Sequence, residues 1–243
     1  MHKMLILSPI LLVAVINSAR ADDAKPVYPD RAPVAEYLMA SRADEIVLAR
    51  SGAPPSIADQ AGILVLDAHG YETVVKSTNG FTCYVARSWD ADIDDPEFWN
   101  PKVRGPMCLN ATAMRWYFPI YRQRTEWVLS GSGVSKGELI AKTKAAIAAN
   151  QITVPPAGAM CFMLSHQGYL SDQGLGPRGW HPIVVFWNPH VVGAEWGADV
   201  PGSPIVSAPS DLMPFTVFFV PLRKWSDGTL AEYDQPAQAG HSH

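Results

Sequence analysis

The chain has 243 residues, with 19 Lys and Arg against 23 Asp and Glu; 48% of its residues are hydrophobic and 10% aromatic. So apolar a composition excludes an intrinsically disordered chain. The acidic balance argues against nucleic acid or an anionic membrane surface as partner.

Residues 1–21 carry Lys3, then the 12-residue apolar run LILSPILLVAVI, then NSARA, in which Ala19 and Ala21 give the small-x-small pattern of signal-peptidase cleavage. A cleaved signal ending at Ala21 is expected, because the run is well short of the ~20 residues needed to span a bilayer. The mature chain would then be secreted or periplasmic, with no membrane insertion. It would keep 17 basic against 23 acidic residues, a net charge of −6. Residues 22–32, DDAKPVYPDRA, read as a mobile mature N-terminus.

From Pro33 to about Arg50 the residues are good helix formers, and GAPP stops them. GILVL, YETVVK and FTCYVAR follow as short β-rich runs. Asn79-Gly80 between the last two predicts a type I′ hairpin, hence a meander. Residues 88–110, with Pro96, Pro101 and Pro106, read as an irregular loop. Ala111–Leu129 has helical spacing, with Pro119 expected to break or kink it. A second helix is expected over Lys136–Asn150, and AMCFMLS, PIVVFW and PFTVFFVPL read as strands, the first two apolar on both faces. This order predicts a single α+β domain over residues 33–230, with about three helices against a mainly antiparallel sheet, and a flexible tail over 231–243.

Of three cysteines, Cys161 lies inside the apolar word AMCFML, where a buried inert thiol is the ordinary expectation. In an oxidising compartment one bridge is expected, and elimination favours Cys83 with Cys108, worth about 3 kcal/mol of loop closure. Composition leaves the other two pairings open.

The segment SHQGYLSDQGLGPRGWHP, residues 165–182, joins two strands. A symmetric antiparallel register would set His166 opposite His181, Leu164 opposite Ile183, Phe162 opposite Val185 and Met160 opposite Trp187. Two imidazoles would then sit ~5 Å apart at the neck of a long loop. The expected site is therefore a small polar or carbohydrate-like ligand bound by His166, Asp172 and His181, with Trp180 and Trp196 as walls. The rival is a metal-assisted hydrolase in which His166, His181 and Asp172 or Glu195 hold a divalent ion. Against both stands a structural reading in which the histidines only hold the connection down, as in an interaction module of the cell envelope.

Other signals read as structure. Gly133-Val134-Ser135-Lys136-Gly137 fits G-x-S-x-G, but no strand precedes it, and Ser135 with Glu138 makes a capping box. Asp90, Asp92 and Asp94 begin like a calcium loop, yet Asp95 and Pro101 stand where Gly and Glu are required, so a solvated acidic loop is expected. Trp116, Trp127 and Trp187 fall on elements; Trp89, Trp99, Trp180, Trp196 and Trp225 fall in or beside loops.

The words NGFTC, FWNPK, HQGYLSD, GWHP and KWSDGT are similar to those of a family of exported bacterial proteins without assigned activity. The resemblance spans most of the mature chain and implies export and a single domain. It carries over no functional residue.

Overall fold

The computed structural model describes residues 28–130, 133–172 and 180–231. The expected signal peptide and most of the 22–32 segment and of the tail lie outside them. Within them stands one α+β domain built on an eight-stranded, mostly antiparallel sheet in the order β2-β1-β3-β4-β5-β6-β8-β7. The strands are β1 (Gly62–Asp67), β2 (Gly70–Val75), β3 (Thr82–Ala86), β4 (Gly105–Leu109), β5 (Met160–Met163), β6 (Ile183–Pro189), β7 (Val206–Pro209) and β8 (Phe215–Pro221). The helices are α1 (Val34–Tyr37), α2 (Arg42–Arg50), α3 (Pro55–Ala58), α4 (Ala111–Leu129) and α5 (Lys136–Ala148). Among the described residues no helix is long and apolar enough to cross a membrane.

Apolar cores lie on both sides of the β1–β3–β4 part of the sheet, while on the α2 side Phe186 of β6 is exposed. Leu48 and Ala49 of α2 pack with Ile63, Val65, Val85 and the bridged cysteines on one face. On the other, Trp116, Tyr117, Ile120 and Tyr121 of α4 meet Leu109, Val185, Trp187 and Phe215 in the larger core. Cys83 and Cys108 oppose each other directly across β3 and β4 and form the expected disulfide. Cys161 is free and buried.

Four local expectations are corrected. Residues 33–50 form two helices, because the chain is extended at Leu38 and Ser41 caps α2 by accepting from the Asp44 amide. Asn79-Gly80 closes no hairpin: β3 runs parallel to β1 on the side away from β2. Only Gly80 takes a positive φ, 81°, while the Asn79 side-chain Oδ1 accepts from the Phe81 amide, an Asx turn that serves a crossover instead. Helix α4 is not broken at Pro119 but runs through it. Buried Trp116, Tyr117, Phe118 and Ile120 hold it on the sheet, and Pro119 and Arg115 lie on the exposed side, where water can reach the carbonyl left without its amide. Finally, the loop 88–110 ends in a strand, β4. Its Pro106 is tolerated because β5 pairs only with Cys108 and Leu109, so the missing amide removes no rung.

The β5–β6 register is also one residue away from the symmetric one. Cys161 opposes Val185, Phe162 opposes Val184 and Met163 opposes Ile183. Cys161, Met163, Ile183, Val185 and Trp187 thus share the face toward α4, and Phe162 turns toward the α2 side beside Phe81. Both registers match apolar to apolar, so the side-chain pattern of a two-sided strand pair does not distinguish them. The ladder ends before either histidine; prolonged by the same register it would set Trp180 opposite His166 and Ser165 opposite His181.

Candidate functional site

A partly open cavity of about 290 Å³ lies between α4, the 88–103 loop and the β4–β5–β6–β8 part of the sheet. Most of its wall is apolar: Met107, Met163, Val185, Trp187, Phe215 and Phe219 contribute. Leu170, from the long connection after β5, adds to this wall. A Cβ at Gly105 would lie 3.0 Å from Leu170 Cδ2, so a larger residue there would press on that side chain.

Polar groups enter from two elements. Tyr117, Tyr121 and Arg124 lie on one side of α4, at i, i+4 and i+7. Ser88, Asp90 and Asp92 come from the 3-10 turn Ser88–Asp90 and the loop after it. The Tyr117 hydroxyl donates to Asp90 Oδ1 at 2.5 Å. Arg124 Nη1 donates to the carbonyls of Trp89 (3.0 Å) and Ala91 (2.9 Å), tying helix to loop. Ser210 donates to Asp92 Oδ1 at 3.3 Å.

Burial disfavours the charged form of Asp90 and pushes its carboxyl up to about 6, although the Tyr117 hydroxyl and Arg124 act in the opposite direction; Asp92 adds a small upward push. Burial, then the neighbouring Asp94, also raises Asp92. The Tyr117 and Tyr121 hydroxyls are raised by burial and stay protonated donors. The expected solvated acidic loop is therefore only partly so: Asp92 and Asp94 are exposed, whereas Asp90 is half-buried and faces the cavity.

The residues singled out in the sequence fall into separate places. His166 is exposed; its Nδ1 lies 3.3 Å from Asp227 Oδ2, and its ring meets Trp225 edge-on at 6.1 Å. Trp180 donates from Nε1 to the Ser165 carbonyl at 2.7 Å and lies 6.3 Å from the same Trp225. His166, Trp225 and Asp227, with Thr229 and Leu230, surround an open depression. His181 stands half-buried just before β6.

Asp172 is elsewhere. It accepts from the Tyr28 and Tyr169 hydroxyls and from Lys102 Nζ at 3.0 Å, and its amide donates to Glu97 Oε2 at 2.8 Å. The Tyr28 hydroxyl and Lys102 hold its carboxyl below the usual range. Glu195 and Trp196 belong to the 3-10 turn Gly193–Trp196 beside β7, where Trp196 is 53% exposed and leans on Phe218 at 5.4 Å. Among the described residues no group of three or more His, Cys, Asp or Glu comes together that could hold a metal ion. His166, His181, Asp172 and Glu195 therefore make no ligand set. Residues 173–179 of the long loop lie outside the described residues.

Trp89 and Trp99, expected beside loops, are core residues at 0% and 2% exposure, and Trp89 Nε1 donates to Thr125. Ser135 and Glu138 form the expected capping box at the start of α5. Compared with known proteins, the chain matches no family model, no curated protein and no solved structure.

Proposed function

We propose that this is an exported binding protein for a small molecule with a predominantly apolar body, held in the cavity between α4 and the sheet. One observation carries the reading: a recessed, mainly apolar space of about 290 Å³ into which a few polar groups converge, Asp90, Tyr117 and Ser88 among them. That combination is the usual make-up of a small-molecule site. Export is supported by the Cys83–Cys108 bridge, a bond favoured in oxidising compartments, and by the apolar leader with its small-x-small end.

The test is a thermal-shift screen of small soluble compounds, repeated on Ala208→Phe, which adds a ring to the cavity wall. A ligand of the native state raises the melting temperature by mass action, and binding there is expected to be lost in the filled variant. Hits that bind both forms equally, or a broad library without a hit, would reject the cavity as the site.

A second reading rests on the depression around His166. Trp225 joins His166 and Trp180, with Asp227 at the rim, and aromatic faces beside exposed polar tips suit a sugar ring. This is what supports the carbohydrate-like ligand expected near residue 165, though Asp172 and Trp196 would take no part in it. Trp225→Ala and His166→Ala should abolish retention on a polysaccharide column, and retention unaffected by either removes this reading.

A further inference from the structure

The polar end of the cavity has a sign. Asp90, Asp92, Asp95 and Glu97 all line it, against Arg87 and Arg124. Arg87 is committed to Glu45, with Nη2 and Oε1 2.8 Å apart, so Arg124 is the guanidinium left to face four carboxylates. Lys136 approaches the same loop from outside the lining, donating to the Asp95 carbonyl at 2.8 Å. The local balance stays negative.

A second observation is independent of charge. Ser88 is 3% exposed, lines the cavity, and its hydroxyl has no hydrogen-bond partner among the described residues. Buried polar groups are nearly always paired, and one left alone lowers stability. Ser88 stands two residues from Asp90 on a single 3-10 turn. An acceptor without a donor and a carboxylate thus arrive together at the edge of an apolar, aromatic-walled space.

We propose that the cavity takes a small organic cation, a protonated amine on an aromatic or aliphatic body, with the nitrogen donating to the Asp90 carboxylate and the Ser88 hydroxyl. This rests on the cavity being a ligand site. Tyr117, Tyr121 and Trp187 supply ring faces for the body and the charge, and the negative lining disfavours an anion. Sugars are disfavoured because the apolar wall would leave most of their hydroxyls unpaired. The raised Asp90 carboxyl agrees: burial outweighs the help from Tyr117 and Arg124, and a bound cation would add to their stabilisation of the ionised form.

The experiment is titration calorimetry on the full chain at about pH 7.5 with two nearly isosteric pairs, 2-phenylethylamine against 2-phenylethanol and hexylamine against hexanol. Each amine should bind tighter than its alcohol by roughly tenfold or more, as for a charge-assisted hydrogen bond. Asp90→Asn should bring each pair together, and Ser88→Ala should weaken the amines while keeping them ahead. If Asp90→Asn fails to fold, the amine-against-alcohol comparison on the native chain carries the test. Equal affinities within each pair would overturn the cation while the cavity stands as a site. No binding by any of the four would overturn it too, and the library screen on native chain and Ala208→Phe then decides separately whether the cavity is a site.

Discussion

Replacing Asp90 by Asn should make the protein more stable at neutral pH. In the folded chain the carboxyl is raised from 3.8 to about 6 because burial disfavours its charge. The folded state therefore binds the Asp90 proton more tightly than the unfolded state does. For such a group stability falls as pH rises through the window between the two values, and levels off above about 6. The difference, about 2 pH units, corresponds to a loss of up to about 3 kcal/mol at 1.36 kcal/mol per unit.

Asparagine keeps an oxygen that can accept from the Tyr117 hydroxyl and has no charge to lose. Urea denaturation of both proteins between pH 4 and 7.5 measures the effect. The stability of Asp90→Asn relative to the native chain should rise by up to about 3 kcal/mol across that range, roughly 6–12 °C in melting temperature for a domain of this size. Asp92 and Arg124 are present in both proteins, so their own titration largely cancels. A difference independent of pH, or one of opposite slope, would mean that Asp90 is a well-compensated carboxylate, and the account of the polar end would be refuted.

Other outcomes follow from the same structure. Glu45→Ala leaves Arg87, 0% exposed, without its carboxylate partner, and should cost about 3–5 kcal/mol in urea denaturation; Glu45→Gln, which keeps an acceptor, should cost less. Thiol titration should find no reactive group in the native chain, where burial raises the Cys161 thiol well up. It should find one thiol after denaturation without reductant and three with it. Two free thiols in the denatured, unreduced protein cannot arise from this pairing in a monomer. Affinity for an amine should fall as pH drops through about 6, since protonating Asp90 removes the negative partner; a calorimetric series without that dependence would detach the amine from Asp90.

Much of the architecture was legible because it rests on local pattern. Six of the eight strands stand where apolar β-rich runs stand, and the α4 and α5 helices where helical spacing runs. The pairing of Cys83 with Cys108 followed from Cys161 lying in a wholly apolar word. β4 was hidden by its proline and by the proline-rich loop before it, and β7, four residues long, by its brevity. The two-histidine neck failed on a different ground: with apolar residues on both faces of β5 and β6, periodicity is silent about which of two registers wins.

The cavity was missed because its polar groups come from segments far apart in the chain. A signal for it did exist. Tyr117, Tyr121 and Arg124 share the buried side of an apolar helix, and an arginine there requires acceptors. The nearby acidic stretch from Asp90 supplies residues of that kind, but taken by itself it matches only the beginning of a calcium loop.

The sulfur bond between Cys83 and Cys108 has a further meaning for the polar end of the cavity. Asp90, Asp92, Asp95 and Glu97, together with Ser88, all fall inside the ring of chain that it closes. A protease that nicked this segment once would leave both fragments fastened to neighbouring strands, so the acidic rim would stay on the domain. Maturation of the recognition surface would thereby be coupled to oxidation: in a reducing environment the same residues would be held by strand pairing and the contacts with α4 alone. Cleavage followed by reduction should release what cleavage alone does not.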